Sequence, residues 1–272
     1  MALIICGHER SGTTLLRNLC HAHPDIAMTM EFNNFGKLDR SFSEYSRFIL
    51  KRWNSQRFRS FLVQGKEEEK LSNVIQSHLF VTRYLFEIFK AQYPPFSKRG
   101  KVGVSTIESS LKKIFPKAKV VGDKMPNYIF RLEELTSQDN LLIVALYRDC
   151  RSVVSSTLEK VRGDWKDFSF IKNLDTPEKI AKRWVESLDI IEEYSEKIHI
   201  LRYEDLVSDP YKELSRISKY IGVNVDGFPI DKVHQSSLAK YKSNLAEKDF
   251  EAILSIAGDK LRKLSYSLNC YF

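Results

Sequence analysis

Residues 7–14 are a glycine-bounded stretch whose residue types suit the binding of a phosphate group. Before it, residues 2–6 have the length and apolar composition of a buried strand, and a helix-like apolar pattern begins at Leu15. A loop that leads into a helix presents unpaired backbone N–H groups at the positive end of the helix dipole, where anions bind. Arg10 adds a positive charge to this loop. The stretch therefore predicts a phosphate-binding loop.

The spacing of Gly7 and Gly12 matches the G-x-x-x-x-G-K-[ST] loop of nucleoside triphosphatases, but one position differs. In that loop the Lys reaches the β- and γ-phosphates, and the next Ser or Thr holds Mg²⁺. Thr13 stands at the Lys position and carries no charge. We therefore expect a loop for a shorter, less charged group, bound without a metal. From the loop alone, an ordinary glycine-containing turn is the alternative.

A second candidate phosphate-binding pair follows the clearest strand pattern. Residues 141–147 form a near-continuous apolar run, as in a central parallel strand that is covered on both faces. Arg148 comes directly after it, and Ser156 lies in the helix predicted over 151–161. Such a pair could bind a second phosphate, with the Arg making two hydrogen bonds. Taken alone, the pattern favours a simpler interpretation, in which Arg148 pairs with Asp149 or another acid.

Strands alternate with helices along the chain, which predicts an α/β fold with a parallel sheet and helices on both faces. Four short apolar segments are predicted strands: 2–6, 119–121, 141–147 and 198–201. Residues 21–25 are a predicted turn after the first helix, and no strand is assigned to the segment that follows them. Ligands bind such sheets beyond the carboxyl ends of the strands. The loops 7–14, 122–128 and 147–151 all follow strands, so we expect them to converge on one crevice.

We expect the whole chain, residues 1–272, to form a single domain, because no linker divides it. Helix-like patterns cover 41–53, 71–93 and 107–114, and no clear strand occurs between residues 32 and 100. Residues 32–115 are therefore predicted to be a largely helical insertion, which is where substrate-specific structure is commonly placed.

Two groups of apolar residues in this region have a predicted position. The second of these helices has an apolar face that we expect to be buried, formed by Leu71, Val74, Ile75, Leu79, Leu85, Ile88 and Phe89. Aromatic residues that could line a substrate pocket or a lid, or simply pack in the core, are Phe32, Phe35, Trp165, Phe168 and Phe170.

The composition is that of a basic protein without a concentrated basic region. The net charge is +8, but positive and negative residues alternate, as on solvated helix faces. We therefore expect a small polyanionic ligand and no nucleic-acid partner. The longest apolar run, 141–146, is far too short to cross a membrane, so no membrane partner is expected.

The distribution of the cysteines favours a reducing compartment and gives no sign of a metal site. Cys6, Cys20, Cys150 and Cys270 are scattered, with no C-x-x-C pair. This pattern favours reduced, buried thiols and no zinc site. Because the start of the chain also shows no signal-peptide pattern, we expect a cytoplasmic protein.

Taken together, these segments resemble the sulfotransferase family that uses 3′-phosphoadenosine 5′-phosphosulfate (PAPS) as its sulfuryl donor. In that family a loop written R-S-G-T-T-L holds the 5′-phosphosulfate, and it corresponds here to Arg10, Ser11, Gly12, Thr13, Thr14 and Leu15. A second family motif, Y-R-[DN]-x-[RK]-x-x-x-x-S, holds the 3′-phosphate and matches Tyr147, Arg148, Asp149, Arg151 and Ser156. The resemblance implies a P-loop-like fold, PAPS as donor, 3′-phosphoadenosine 5′-phosphate (PAP) as product, and no required metal.

Two further segments extend the resemblance. The family motif R-Y-E-D-L matches residues 202–206, which implies that Tyr203 lies near the adenine. The segment S-[SL]-x-x-[KR]-[YW] is similar to residues 236–241. It implies that Lys240, with Ser236 or Ser237, closes over the phosphates of the donor.

The resemblance also implies catalytic roles. The first motif is closest to the bacterial and protein-tyrosine branches, where it continues as A-H-P-[DE] and then an acid. Here that acid is Glu31, just past the first predicted helix, and its family counterpart is the proposed base for the acceptor's proton. Lys124 resembles the lysine at the bridging oxygen, and with Arg10 it would stabilise charge on the leaving 5′-phosphate. The alternatives are a surface Glu31, a solvated Lys124, and His8 as the base.

The function predicted from these residues is the transfer of a sulfuryl group from PAPS to a hydroxyl or amine by in-line displacement. The expected acceptor is a small molecule, a natural product or metabolite, and the resemblance implies that it binds on the side of the helical insertion 32–115. A protein tyrosine or a carbohydrate is the alternative acceptor. From other classes, a P-loop kinase and a non-catalytic nucleotide-binding protein remain alternatives, although Thr13 at the Walker Lys position opposes the kinase.

Overall fold

Five parallel strands build the central sheet of the protein. The computed structural model describes residues 1–55, 70–93, 100–163, 165, 169–234 and 241–268. Within these ranges the strands are β1 (Ala2–Gly7), β2 (Ile26–Met30), β3 (Val120–Lys124), β4 (Leu141–Tyr147) and β5 (His199–Arg202). They lie in the order β2-β3-β1-β4-β5, and each neighbouring pair is parallel. The predicted α/β fold with a parallel sheet is confirmed.

Helices cover both faces of this sheet. In the described residues they are α1 (Thr13–Ala22), α2 (Phe42–Ser55), α3 (Lys70–Gln92), α4 (Val104–Ile114), α5 (Leu132–Thr136), α6 (Cys150–Arg162), α7 (Pro177–Glu193), α8 (Tyr203–Ser208), α9 (Pro210–Ile221), α10 (Tyr241–Asn244) and α11 (Glu247–Lys263). Successive side chains of β1 enter two different buried clusters, because side chains alternate across a strand. Ala2, Ile4 and Cys6 pack with α2–α4, α6, α7 and α11, whereas Leu3 and Ile5 pack with α1, α8 and α9.

The register of the strands aligns their carboxyl ends along one edge of the sheet. Lys124, the last residue of β3, lies opposite Met30, the last residue of β2. Gly7, the last residue of β1, lies opposite Leu146 near the end of β4. The segments that follow β1, β2, β3 and β4 therefore leave the sheet at the same edge, where ligands of such folds bind.

Two strand predictions were wrong. No strand was predicted over 26–30, where the methionines and alanine favour helices as much as strands. This segment becomes a strand through its pairing with β3. The strand predicted over 119–121 was also too short, since β3 continues through Gly122 to the polar residues Asp123 and Lys124. Both of these side chains are buried, and Lys124 is a strand residue rather than part of a loop.

The described parts of the insertion predicted over 32–115 contain the helices α2, α3 and α4, as well as an antiparallel bridge between Arg40 and Val102, and they pack into the core of the sheet domain. Tyr45 of α2 and Tyr84 of α3 share a hydrogen bond of 2.6 Å, and both rings are fully buried. Phe32 and Phe35 are buried in the same cluster, so the core interpretation holds for these two aromatic residues. Of the other three, Trp165 is half-buried, Phe168 lies outside the described residues, and the side chain of Phe170 is not described.

The predicted buried face of α3 was wrong in part. Ile75 and Leu79 are 51% and 66% exposed, although Ile88 is buried as expected. The face that packs inward instead carries Phe80 and Tyr84, whose rings meet Phe32 edge to face. Apolar residues occur on more than one side of this helix, and the large aromatic side chains decide which side is buried.

Two findings bear on the expected surroundings of the protein. In the part of the chain that the structure describes, no helix combines the length and apolar character needed to cross a bilayer. Cys6, Cys20 and Cys150 are buried free thiols, and burial raises the pKa of each. Cys270 lies outside the described residues.

We predict that His21 makes the fold less stable in mild acid. Its ring accepts the backbone N–H of Met28 (3.1 Å), and burial, aided by the charge of Arg17, lowers the pKa of His21 to about 4. The unfolded chain binds a proton near pH 6.5, at about the ordinary value. Stability from the neutral ring is therefore complete above pH 6.5 and is lost as the pH falls toward 4.

Thermal unfolding between pH 7 and pH 4.5 checks this prediction. We expect His21→Gln to reduce the fall in Tm relative to the parent protein, because the variant has no ring to protonate. His234→Gln, at an exposed histidine, is the control and should keep the parent slope. Parallel curves for the parent and His21→Gln would contradict the prediction.

Candidate active site

The phosphate-binding loop lies between Gly7 and the start of α1 at Thr13. Gly12 precedes the helix with a positive φ of 92°, and no side chain caps the helix start. A Cβ atom on Gly12 would lie 2.2 Å from the ring of Tyr203. Glycine is therefore needed for both the conformation and the close approach, and the helix N–H groups stay available for an anion.

Two polar atoms of this loop are buried without a partner. The hydroxyl of Ser11 and Nε2 of His8 have no hydrogen-bond partner within the described residues. Buried polar groups are normally paired, because an unpaired one costs about 1–3 kcal/mol. A phosphate or sulfate oxygen would supply the acceptor that the Ser11 hydroxyl lacks. The loop thus fits an anionic ligand.

His8 is held in its neutral form. Burial lowers the pKa of His8. Its Nδ1 lies 2.7 Å from the carbonyl oxygen of Glu9, so Nδ1 donates and Nε2 is left with a free lone pair. This ring could therefore accept a proton, and His8 as an alternative base stays a prediction.

The second predicted phosphate pair meets the first loop. Nε of Arg10 donates to Oγ of Ser156 at 3.0 Å, and Nη1 of Arg148 donates to the carbonyl of Arg10 at 3.4 Å. The guanidinium of Arg148 also stacks on the ring of Tyr203, 4.4 Å from its centroid. Residues from three separate sequence motifs are thus brought together at the carboxyl edge of the sheet.

The alternative pairing of Arg148 with Asp149 is not what the structure shows. The Asp149 carboxylate accepts hydrogen bonds from the side chain of Arg151, with a shortest distance of 2.6 Å. Asp149 also caps α6 by accepting the backbone N–H of Arg151. The main chain of Arg148 is fixed separately, because Trp184 donates to its carbonyl oxygen.

A cavity of about 320 Å³ opens beside these residues. Its lining consists of Arg10, Gly12, Thr13, Thr14, Leu15, Arg148, Ser152, Ser155, Ser156, Glu159, Tyr203, Tyr241 and Asn244. The volume is within the range of about 300–1,000 Å³ that is usual for small-molecule sites. Two arginines and several hydroxyls against a single carboxylate make the lining suitable for an anionic ligand.

Part of this lining was not predicted. Ser152, Ser155, Ser156 and Glu159 are spaced along α6 so that they share one face of the helix. Only Ser156 was among the predicted site residues, although the same helical spacing indicates the other three. Tyr241 lies in the segment similar to the fourth motif, but it was given no role.

The predicted base and the predicted catalytic lysine form an ion pair. Nζ of Lys124 lies 2.6 Å from Oε1 of Glu31 and 3.2 Å from Oγ1 of Thr14. The side chain of Lys124 is 1% exposed, whereas Glu31 is partly open to solvent. Glu31 directly follows β2, so the expectation that it follows the first helix was wrong. Thr14 links this pair to the phosphate-binding loop.

Three predicted donor-binding residues cannot be placed. Ser236, Ser237 and Lys240 lie outside the described residues. The ranges that the structure describes contain no cluster of three His, Cys, Asp or Glu side chains arranged to hold a metal ion.

Comparison with known proteins identifies the relatives of this chain. The sequence model described as "Sulfotransferase family" matches residues 2–227. A sequence search of curated proteins gave no match.

Solved structures of sulfotransferases share the fold. The sulfotransferase domain from the curacin biosynthetic pathway is 18% identical, with a TM-score of 0.59 over 99% of this chain and 98% of that one. The sulfotransferase domain from the olefin synthase of Synechococcus PCC 7002 is 19% identical, with a TM-score of 0.56 over 94% of each chain. Sulfotransferase STF9 from Mycobacterium avium is 14% identical, with a TM-score of 0.51 over 99% of this chain and 78% of that one.

Replacing the glycine at the helix start should destabilise the protein. We expect Gly12→Ala to cost at least about 1–3 kcal/mol, because alanine is strained at φ 92° and its Cβ collides with Tyr203. Gly103→Ala is the matched control, since Gly103 precedes α4 with an ordinary φ of −108° and has room for a Cβ. Urea unfolding measures the free energy of unfolding of both variants. Equal unfolding midpoints for the two would contradict the role given to Gly12.

Proposed function

The chain belongs to the sulfotransferase family and is a sulfotransferase enzyme, and we propose that it uses PAPS to sulfate a small-molecule hydroxyl or amine. The observation that carries the proposal is the meeting of Arg10, Arg148 and Ser156 beside the phosphate-binding loop. A donor with phosphate groups at both its 3′ and 5′ positions would contact both the phosphate-binding loop and the pair of Arg148 and Ser156. The proposed acceptor is a natural product or metabolite.

The donor-binding roles follow from the position of each group. At the start of α1, the backbone N–H groups of residues 12–14 and the hydroxyls of Ser11, Thr13 and Thr14 would hold the 5′-phosphosulfate. Arg148 and Ser156 would hold the 3′-phosphate, and Arg10 reaches Ser156 from the loop side. Tyr203, which packs between Gly12 and the Arg148 guanidinium, would lie near the adenine.

The catalytic roles rest on the ion pair of Lys124 and Glu31. When bound, PAPS supplies the transferable sulfuryl group. The ammonium of Lys124 stabilises the ionised form of Glu31, which is the form that can accept the proton of the acceptor hydroxyl or amine. Lys124 also lies within reach of Thr14, so its charge can stabilise the leaving phosphate oxygen. Both groups are thus held beside the phosphate-binding loop, where an in-line displacement would place the attacking acceptor atom and the leaving phosphate oxygen on opposite sides of the sulfur.

The acceptor class is supported less directly. Two of the solved relatives are named as domains of the curacin biosynthetic pathway and of an olefin synthase. Those names concern biosynthesis, which agrees with a natural-product or metabolite acceptor for this chain. The cytoplasmic location and metal-independent donor binding stay predictions.

An acceptor panel tests the proposed function. PAPS would be incubated with phenols, aliphatic alcohols, amines, a tyrosine peptide and an oligosaccharide, with PAP release and product mass as readouts. We expect sulfation of one of the small molecules. Sulfation restricted to the peptide or the oligosaccharide would overturn the acceptor class, and absence of transfer from PAPS to any acceptor would oppose the proposed activity.

Loss of the base should separate turnover from donor binding. We expect Glu31→Gln to lower kcat by about 100-fold or more, the usual contribution of a general base, and to change PAP affinity by less than about threefold. The control is Glu108→Gln, which breaks a Glu–Lys pair of 2.7 Å on the surface helix α4. Calorimetry with PAP measures the affinity, and rate measurements with PAPS give kcat. A loss of PAP affinity equal to the loss of kcat would contradict the role of Glu31.

Loss of Arg148 should remove discrimination for the 3′-phosphate. Because a hydrogen bond to a charged group contributes about 1.5–3 kcal/mol, we expect Arg148→Ala to weaken PAP binding by at least about tenfold. Binding of adenosine 5′-phosphate, which lacks the 3′-phosphate, should hardly change. Arg148→Lys tests whether the two-pronged guanidinium is needed, and Arg162→Ala at the exposed end of α6 is the control. Equal affinity of the parent protein for both nucleotides would contradict the assignment.

A further inference from the structure

Glu31 stands in a strained turn. Glu31 and Asn33 both have positive φ angles, 57° and 63°, in a region that non-glycine residues seldom adopt. Strain of this kind persists where the surroundings fix the backbone, and it is common at functional sites. We call residues 31–36 the Glu31 turn.

The carboxylate of Asp123 is the central contact of the Glu31 turn. Its Oδ1 accepts the N–H of Phe32 at 3.3 Å and the hydroxyl of Thr29 at 2.7 Å. Its Oδ2 accepts the N–H of Asn33 at 2.8 Å and the hydroxyl of Tyr128 at 2.8 Å. Asp123 is fully buried. All of its main acceptor positions are therefore used, and half of them hold backbone N–H groups of the turn.

Three other side chains hold further backbone groups of the turn. The guanidinium of Arg52, on α2, donates twice to the carbonyl of Glu31, at 2.8 and 3.1 Å. The hydroxyl of Tyr128 accepts the N–H of Phe35 at 3.1 Å, and Tyr45 donates to the carbonyl of Asn34 at 2.7 Å. These contacts connect the turn to β3, to the segment after it, and to the helical insertion.

The same arrangement places the Glu31 carboxylate against Lys124. The N–H of Glu31 donates to the carbonyl of Lys124 at 2.7 Å, while the Lys124 ammonium contacts the Glu31 carboxylate. Asp123 is the preceding residue of the same strand. One rigid segment thus carries both the lysine and the group that fixes the position of the base.

Resting on the proposed function, we propose that Asp123 is a positioning residue for sulfuryl transfer. It holds the Glu31 turn in the left-handed conformation that aims the base at the reacting groups, and Tyr128 and Arg52 assist it. Asp123 does not touch the reacting atoms itself. Burying a carboxylate is costly unless it is fully hydrogen-bonded, and here the two N–H donors of the turn supply part of that compensation.

Hydrogen exchange tests the structural half of the proposal. Asp123→Asn keeps the shape but replaces one oxygen by an N–H donor, so it cannot accept all four hydrogen bonds. Tyr128→Phe removes one donor to Asp123 and the acceptor of the Phe35 N–H. The control is Tyr220→Phe, whose ring packs against the other buried cluster and whose hydroxyl bonds the backbone of Ile143.

We expect deuterium uptake in peptides that cover residues 31–36 to rise in Asp123→Asn and Tyr128→Phe but not in Tyr220→Phe. Unchanged protection of these peptides in the first two variants would overturn the proposal. If Asp123→Asn fails to fold, Tyr128→Phe decides this measurement on its own.

A double-mutant cycle tests the catalytic half. We expect Asp123→Asn and Tyr128→Phe each to lower kcat by about 10–100-fold, the effect of misplacing a catalytic group by about 1 Å, with PAP affinity unchanged. In a Glu31→Gln background the same change should have almost no further effect, because there is no base left to position. Additive losses, or an equal loss of PAP affinity, would show a general structural role and overturn the proposal.

Different results would contradict the proposed function and the positioning role of Asp123. If the parent protein transfers no sulfuryl group from PAPS, the proposed function fails, and the exchange measurement still decides whether Asp123 holds the turn. If the parent protein is active and the cycle is additive, the proposed function stands and the positioning role of Asp123 is wrong.

Discussion

The buried ammonium of Lys124 is the constraint around which the site is organised. A charged lysine that is 1% exposed is stable only beside an opposite charge and hydrogen-bond acceptors, and Glu31 and Thr14 supply them. Glu31 comes from the end of β2, Lys124 from the end of β3, and Thr14 from the helix after β1. The pair therefore ties three neighbouring segments of the carboxyl edge together. The Lys124 ammonium that connects these segments is also the charge that is proposed to stabilise the leaving phosphate.

A second constraint is close packing at the phosphate-binding loop. Gly7 lies so near the backbone of β4 that a Cβ atom would be 2.2 Å from the carbonyl oxygen of Leu146, and Gly12 is equally close to Tyr203. The absence of side chains at these two positions lets β1, β4 and α8 meet around the loop. Arg148 can then stack on Tyr203 and contact the loop carbonyl of Arg10. Distant motifs form one site because the parallel sheet delivers their strand ends to one edge.

The features that could be predicted from sequence are those encoded locally. The phosphate-binding loop and the Arg148 to Ser156 segment carry their residue types and spacing in a few consecutive positions. The strand β2 and the end of β3 could not be found in this way, because their polar and helix-favouring residues are buried through pairing with neighbouring strands. The roles of Asp123 and Arg52 were missed for the same reason, since each acts on a turn far away in sequence. The inward face of α3 was likewise set by aromatic packing rather than by its own apolar pattern.

Calorimetric titration with PAP in the presence of EDTA, with ATP and Mg²⁺ in a parallel titration, tests the central claim most directly. The claim is that the loop with Thr13 at the Walker Lys position binds a bisphosphorylated nucleotide without a metal. The account predicts micromolar or tighter PAP binding, about −8 kcal/mol or more favourable, that EDTA leaves unchanged and that ATP with Mg²⁺ does not match. Binding of ATP with Mg²⁺ in preference to PAP, or PAP binding that EDTA abolishes, would contradict it.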